Sequence, residues 1–192
     1  MIVIGLLGAI ALIVISAINP IEQSNRARDT RFKADGGQLI SAIDRYFAAK
    51  SEFPWMTGTV VQTDDALDFI TAADSSIGLC GTTCTGSATT SFGVLINNDE
   101  LKTEFRDRDF VKNSAQGADK QIMIGKAAGA SSSVYACFIP LSKSFREKAC
   151  TDGKAYTLSA GGVRTAITAN DASCAATSAT WVSAPQYVCI PE

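Results

Sequence analysis

Residues 14–35 read VISAINPIEQSNRARDTRFKAD, and the chain changes character within them. Before Asn19-Pro20 there is no charge at all. By Asp35 there are seven charged residues: Glu22, Arg26, Arg28, Asp29, Arg31, Lys33 and Asp35. Upstream, residues 1–18 (MIVIGLLGAIALIVISAI) hold a single polar side chain, Ser16. A run of about 18 apolar residues is at the lower limit for crossing a bilayer core. No Lys or Arg precedes Arg26, and Asn19-Pro20 is a poor cleavage context, so a cleaved signal peptide fits badly. Two readings remain: a simple membrane anchor, or a helix that leaves the membrane and packs against copies of itself.

Downstream of Pro20 the pattern is helical. Phe32, Leu39, Ile40, Ile43 and Phe47 recur near i, i+3, i+4, i+7 spacing, with alanines between them. The segment closes at Lys50-Ser-Glu-Phe-Pro54, because a residue before proline avoids the helical region. One near-continuous helix over residues 1–50 would be roughly 75 Å long at 1.5 Å per residue, so its first part must project from any domain that packs on its second part. Gly5, Gly8, Pro20, Gly36 and Gly37 are its weak points. Interior glycine costs about 1 kcal/mol and interior proline about 3 kcal/mol. Gly5 and Gly8 suit close helix packing in lipid. Pro20 predicts a kink, with its clash one turn back near Ser16.

The whole chain has 192 residues and a net charge of −2, with a pI near 5.2. Its basic residues are interleaved with acids, so no specific nucleic-acid site is evident. There is no histidine, which removes the commonest general base and the commonest metal ligand. No G-x-S-x-G, no phosphate loop and no dinucleotide fingerprint occurs. The sequence therefore predicts no catalytic residue, no metal and no cofactor.

The cysteines are Cys80, Cys84, Cys137, Cys150, Cys174 and Cys189. Their even count and the lack of any C-x-x-C pair point to disulfides formed in an oxidising compartment. Among the fifteen possible pairings, loop closure favours near neighbours: Cys80–Cys84, Cys137–Cys150 and Cys174–Cys189.

Residues 63–70 suggest a short helix capped by Thr63 or Asp64, in preference to a calcium loop. Residues 82–91 (TTCTGSATTS) form a small, hydroxylic surface loop or an O-glycosylated one. Residues 92–96 fit a strand or a helix start, and residues 97–105 a brief capped helix. Strands are predicted over 120–124, 132–139, 144–149 and 155–158. A loop then runs from Gly161-Gly162 to Trp181-Val182 and Tyr187-Val-Cys-Ile190. The architecture is α+β: a long N-terminal α-helix, kinked or partly unwound near Pro20, packed on an antiparallel β-sheet head with disulfides. Its parts are residues 1–20, an apolar helix; 21–54, the amphipathic half; and 55–192, the globular head.

The stretches MIVIGLLGAIALIVISAINP (1–20) and ARDTRFKADGGQLISAIDRYFAAKSEFPW (27–55) resemble the type IV pilins. Asn19-Pro20, Gln23, Ala27-Arg28-Asp29, Arg31 and Ala42-Ile43…Tyr46 look like a branch of pilins and pilin-like proteins from Gram-positive and candidate-phylum bacteria. The likeness covers about residues 1–55. The family's precursors carry a basic leader ending in glycine, then a Phe or Met and, a few residues on, a glutamate. None of these is present, and Met1-Ile-Val-Ile corresponds to the interior of that helix. Many pilins also place the proline a turn earlier, where this chain has Val14 and Ile15.

The resemblance implies a structural subunit, not an enzyme, that waits in the cytoplasmic membrane and is drawn by an assembly machine into an extracellular pilus. Its partners would be further copies of itself in a helical homopolymer. Ile4, Leu7, Ile10, Val14 and Ile18 would lie in the filament core. The helix would unwind between Gly8 and Pro20, and Glu22, Arg26, Arg28, Asp29 and Arg31 would pair between subunits. Cys174–Cys189 would resemble the family's C-terminal disulfide loop. Adhesion, twitching motility and DNA uptake are the family's roles. The alternatives are a type II secretion pseudopilin or minor pilin and, in a different class, a membrane-anchored binding domain.

Overall fold

The computed structural model describes residues 3, 4, 7, 19–56, 66–84, 91–168, 171–174 and 177–192. Its dominant element is helix α1, Pro20–Lys50. The proline is not interior to this helix. Asn19 is extended (φ −85°, ψ 98°) and its side chain accepts from the Glu22 N–H at 3.2 Å. That makes Asn19 the N-cap and Pro20 the first helical residue, where its missing N–H would have had no partner anyway. The expected clash inside a continuous helix is therefore replaced by a fresh helix start. The other end falls where the sequence placed it, at Lys50, although the stop is local. Ser51 adopts the left-handed conformation (φ 57°) and its N–H reaches the Phe47 carbonyl at 2.7 Å.

A four-stranded antiparallel sheet packs on α1 in the order β1-β2-β3-β6, with β1 Leu67–Thr71, β2 Ile122–Lys126, β3 Val134–Phe138 and β6 Val188–Ile190. A separate hairpin pairs β4 (Tyr156–Ser159) with β5 (Val163–Ala166). The shorter helices are α2 (Val94–Asn97), α3 (Asp109–Lys112), α4 (Lys143–Thr151) and α5 (Ser178–Ser183). This is an α+β fold with a long N-terminal helix, an antiparallel sheet and three disulfides.

Alternation along the strands divides the interior. Ile122, Ile124, Ala136 and Phe138 join Phe32, Leu39 and Ile43 of α1 in one cluster. Cys137 and Ile139, with Met123 and Tyr135 packed against them, join Trp181 and Cys150 in a second. Phe32 is the hub of the first, meeting Phe110 and Phe138 edge to face at 6.1 and 6.0 Å. Gly36 lets the helix settle on the sheet, since a Cβ there would stand 3.2 Å from Ala136 Cβ.

Several sequence expectations are corrected. Residues 144–149 are not a strand but most of α4, whose cap Ser142 accepts from the Phe145 N–H at 3.3 Å. Two i,i+4 ion pairs support it, Lys143–Glu147 at 3.5 Å and Lys148–Asp152 at 2.8 Å. Residues 67–70, expected to be helical, form β1 because β2 offers them an edge; Thr63 and Asp64 lie outside the described residues, as do 85–90 of the hydroxylic loop. The expected strand over 120–124 runs two residues later. The helix expected over 97–105 is replaced by the end of α2 and a 3-10 turn, Thr103–Asp107. The stretch read as one loop from Gly161 contains β5 and α5.

Two of the three expected pairings also fall. Cys80–Cys84 is present, but the others are Cys137–Cys189 and Cys150–Cys174. Cys137 and Cys189 face each other in the β3–β6 ladder, with Cα atoms 4.0 Å apart. Closing a separation of 52 residues rather than 13 is two doublings of loop length, about 1.2 kcal/mol. Strand register outweighs that preference.

Replacing Cys137 or Cys189 by alanine should each cost about 2–5 kcal/mol in chemical denaturation, and the double replacement should cost no more than the worse single one, since all three remove one bridge. A double replacement costing the sum of the singles would return the bridges to the sequence-based pairing.

Candidate functional site

The charged start of α1 is where the chain concentrates its polar chemistry. At 3.6 residues per turn, Glu22, Asn25 and Asp29 share a stripe, and that stripe faces the turn between β3 and α4. Asp29 has no exposure at all. Its carboxylate accepts from Arg28 Nη1 at 2.8 Å, from the Leu141 N–H at 3.2 Å and from the Ser142 N–H at 2.8 Å. Two turns earlier, Glu22 accepts from the Lys143 and Ser144 N–H groups at 3.0 and 3.2 Å. Asn25 donates to the Leu141 carbonyl at 3.4 Å.

The amides at the start of a helix have no partner inside it. In α4 those of Ser142, Lys143 and Ser144 are met by two carboxylates of α1, and that of Phe145 by the Ser142 hydroxyl. Negative charge at a helix N-terminus also suits the helix dipole.

Arg28 completes the grip. Its guanidinium bonds the Ile139 carbonyl at 3.2 Å, contacts the Asp119 carbonyl, and lies 4.2 Å from the Phe32 ring centroid. Burial pulls its pKa below the ordinary value, and the Asp29 charge pulls it back up. Arg146 of α4 is buried beside this cluster and bonds the Leu141 carbonyl.

The other charges of this half of α1, Asp35 excepted, point outward. Arg26 is 57% exposed and pairs with Glu22 at 3.3 Å. Arg31 pairs with Asp109 at 3.1 Å with both ends about half exposed. Lys33 contacts Glu192, whose carboxyl is held down to about 2 by hydrogen bonds from Lys33 and Lys154. Asp35 is buried and, among the described residues, has Arg108, at 3.5 Å, as its ion partner. Burial raises its pKa, with Arg108 and Arg31 opposing and Asp109 adding to the rise.

The five residues expected to pair between subunits thus divide. Arg28, Asp29 and in part Glu22 are engaged within the chain, while Arg26 and Arg31 stay at the surface. Ile4 and Leu7 are helical and exposed, at 74% and 62%. Gly8, Ile10, Val14 and Ile18 lie outside the described residues. Among the described residues no helix is long and apolar enough to cross a membrane, and none forms a cluster fit for a metal ion. The sequence reasoning missed the burial of Asp35 and Arg146. Both lie on the i, i+3, i+4 stripes of the apolar positions around them, which was the available signal.

Set against protein-family models, curated proteins and solved structures, the chain matches none.

Asp29→Ala should cost about 3–5 kcal/mol in urea denaturation, because it strands a buried guanidinium and two amides; Glu22→Ala should cost about 1 kcal/mol as a lost cap, and Arg26→Ala under about 0.5 kcal/mol. Acid should weaken the Glu22 contacts. Burial raises its pKa, but hydrogen bonds from Lys143, Ser144 and Arg26 outweigh that and leave it below 4.5. Its stabilisation is complete above 4.5 and is lost as pH falls through the lower folded value. Amide exchange at Lys143 and Ser144, corrected for intrinsic rate, should accelerate over that fall while exchange in β3 does not. Asp35 contributes with the opposite sign: its cost is absent below 3.8 and grows as pH rises.

Proposed function

We propose that the chain is a structural subunit of an extracellular type IV pilus that assembles through its apolar N-terminal segment. The observation that carries this reading is a division of labour along one stretch. Residues 1–18 are uncharged, and Val3, Ile4 and Leu7 are helical with 62–74% of their surface uncovered. Ile21, the first side chain after the proline, is 72% exposed. From Glu22 onward the same stretch is locked to the C-terminal sheet by buried charge and apolar packing. Apolar side chains left open beside a rigidly attached domain need lipid or other subunits to cover them, and a homopolymer supplies the second once the first is left behind.

In this reading the subunit waits in the cytoplasmic membrane, and the assembly machine transfers residues 1–18 from lipid to a core built by other copies, with Ile4, Leu7, Ile10, Val14 and Ile18 inside it. Asn19 is extended and caps α1 with its own side chain, so the segment before it need not continue the α1 axis. Arg26 and Arg31 are the charges left to face a neighbour. Disulfides suit an extracellular location. A secretion-system pseudopilin would use the same segment but build only short assemblies, and a membrane-anchored binding domain would build none.

Ile10→Asp should abolish surface filaments in negative-stain electron microscopy while the purified chain keeps its circular dichroism spectrum, because a lone carboxylate in an apolar bundle costs several kcal/mol. Filaments at normal abundance in that variant would rule out an apolar core built by this segment.

A further inference from the structure

The hairpin β4–β5 leaves one strand edge open. Tyr156 exchanges backbone hydrogen bonds with Tyr187, at 2.9 and 2.8 Å, and so turns its N–H and C=O away from β5. In an antiparallel ladder such residues alternate with those bonded across it. The register Tyr156↔Ala166 and Leu158↔Arg164 therefore turns the N–H and C=O groups of Arg164 and Ala166 outward. Among the described residues nothing meets them.

Exposed edges are normally guarded by charge, proline, a bulge or a covering element. The edge strand β1 is guarded in this way. It is bulged between Leu67 and Ile70, carries Asp68, and has Gly162 too close to the Leu67 carbonyl for a Cβ to fit. On β5 there is no proline and no acid, and its one charge is turned inward. The Arg164 guanidinium lies between the Tyr135 and Tyr156 rings, 3.8 and 4.5 Å from their centroids, and bonds the Pro191 carbonyl at 3.3 Å. The side chains left at the edge are uncharged: Val163 is 47% exposed, and Thr165 and Ala166 are exposed as well.

Open N–H and C=O groups on a strand are met by another strand, and these fit a copy of themselves. Antiparallel pairing about a two-fold axis through Thr165 sets each Arg164 opposite the other copy's Ala166. Both are then hydrogen-bonded positions, so their open groups are all met. The two Thr165 side chains fall on the axis as a close pair, which is favourable for threonine. No charge opposes its like across the seam. We propose that β5 is a self-pairing edge that joins two copies of this chain through one continuous sheet. The contact is isologous and closes as a pair, so it does not rest on the pilus reading. A polar filament contains no such axis, so there the pair joins subunits of two filaments.

The test is a disulfide trap in the full chain, purified in detergent and air-oxidised. Thr165→Cys sets two thiols across the axis, where the Cβ atoms of such a pair are about 4.5–5.5 Å apart, close enough to bridge. Thr157→Cys is the control. Thr157 sits opposite Thr165 on β4 and is also exposed, but its two copies would stand three strand spacings apart, about 14 Å. The expected result is a covalent dimer several-fold more abundant from Thr165→Cys than from Thr157→Cys on non-reducing gels. Adding Ala166→Pro to Thr165→Cys removes an outward N–H that the fold does not use. That excess should then disappear while the circular dichroism spectrum is kept. Equal dimer from the two cysteine variants, or none from either, would overturn the proposal, and this comparison stands even where the proline variant unfolds. A dimer that Ala166→Pro leaves unchanged would overturn it too.

Discussion

Asp29 carries a carboxylate to a place with no solvent, and three donors meet it there. Much of the surrounding geometry follows from that one match. A buried charge has to be paired or its cost is several kcal/mol, so α1 cannot slide or rotate on the sheet without losing Leu141, Ser142 and Arg28 together. Apolar burial of Phe32, Leu39 and Ile43, at about 1.5–3 kcal/mol each, supplies most of the attraction between helix and sheet but tolerates small shifts. The Asp29 contacts do not, and Glu22 repeats the grip two turns away. Polar contacts set the register, and apolar contacts supply the adhesion.

The consequence is a rigid joint downstream of Asn19. Downstream, the helix and the β3–α4 turn form one body. At Asn19 the extended backbone marks the start of α1, and its own side chain caps the first turn. A proline inside a helix would have stored strain at this point. At the first helical position it stores none.

The sequence made α1 legible over most of its length, because Phe32, Leu39 and Ile43 repeat at helical spacing and the chain stops at Lys50-Ser-Glu-Phe-Pro. Strand β3 was legible for a similar reason, a dense run of β-formers. What could not be read was anything decided by a partner far along the chain. Residues 144–149 carry Phe, Ala and Cys in a pattern that suits a strand, yet two carboxylates more than a hundred residues earlier cap them as a helix. Leu67–Thr71 follows acids that suggest a helix cap, yet pairs with β2. The cysteine pairings depended on which strands lie side by side, a question loop length answers only weakly. The charges from Glu22 to Asp35 looked like a surface set because charge usually is, and their sorting into inward and outward groups depended on a neighbour the sequence does not mark.

That sorting also bears on which residues can evolve for assembly and which cannot. Arg28 and Asp29 are held by the fold of the subunit, so changing them damages the part before any contact between parts is affected. Arg26 and Arg31 contribute little to the subunit, since exposed pairs are worth under about 1 kcal/mol, and are free to answer to another surface. Gly36 and Gly37 repeat the contrast in backbone form: a side chain at Gly36 presses on Ala136 and Ile190, while one at Gly37 enters open space. Gly37 thus lowers helix propensity without a steric reason among the described residues, and it lies on the face of α1 away from the sheet.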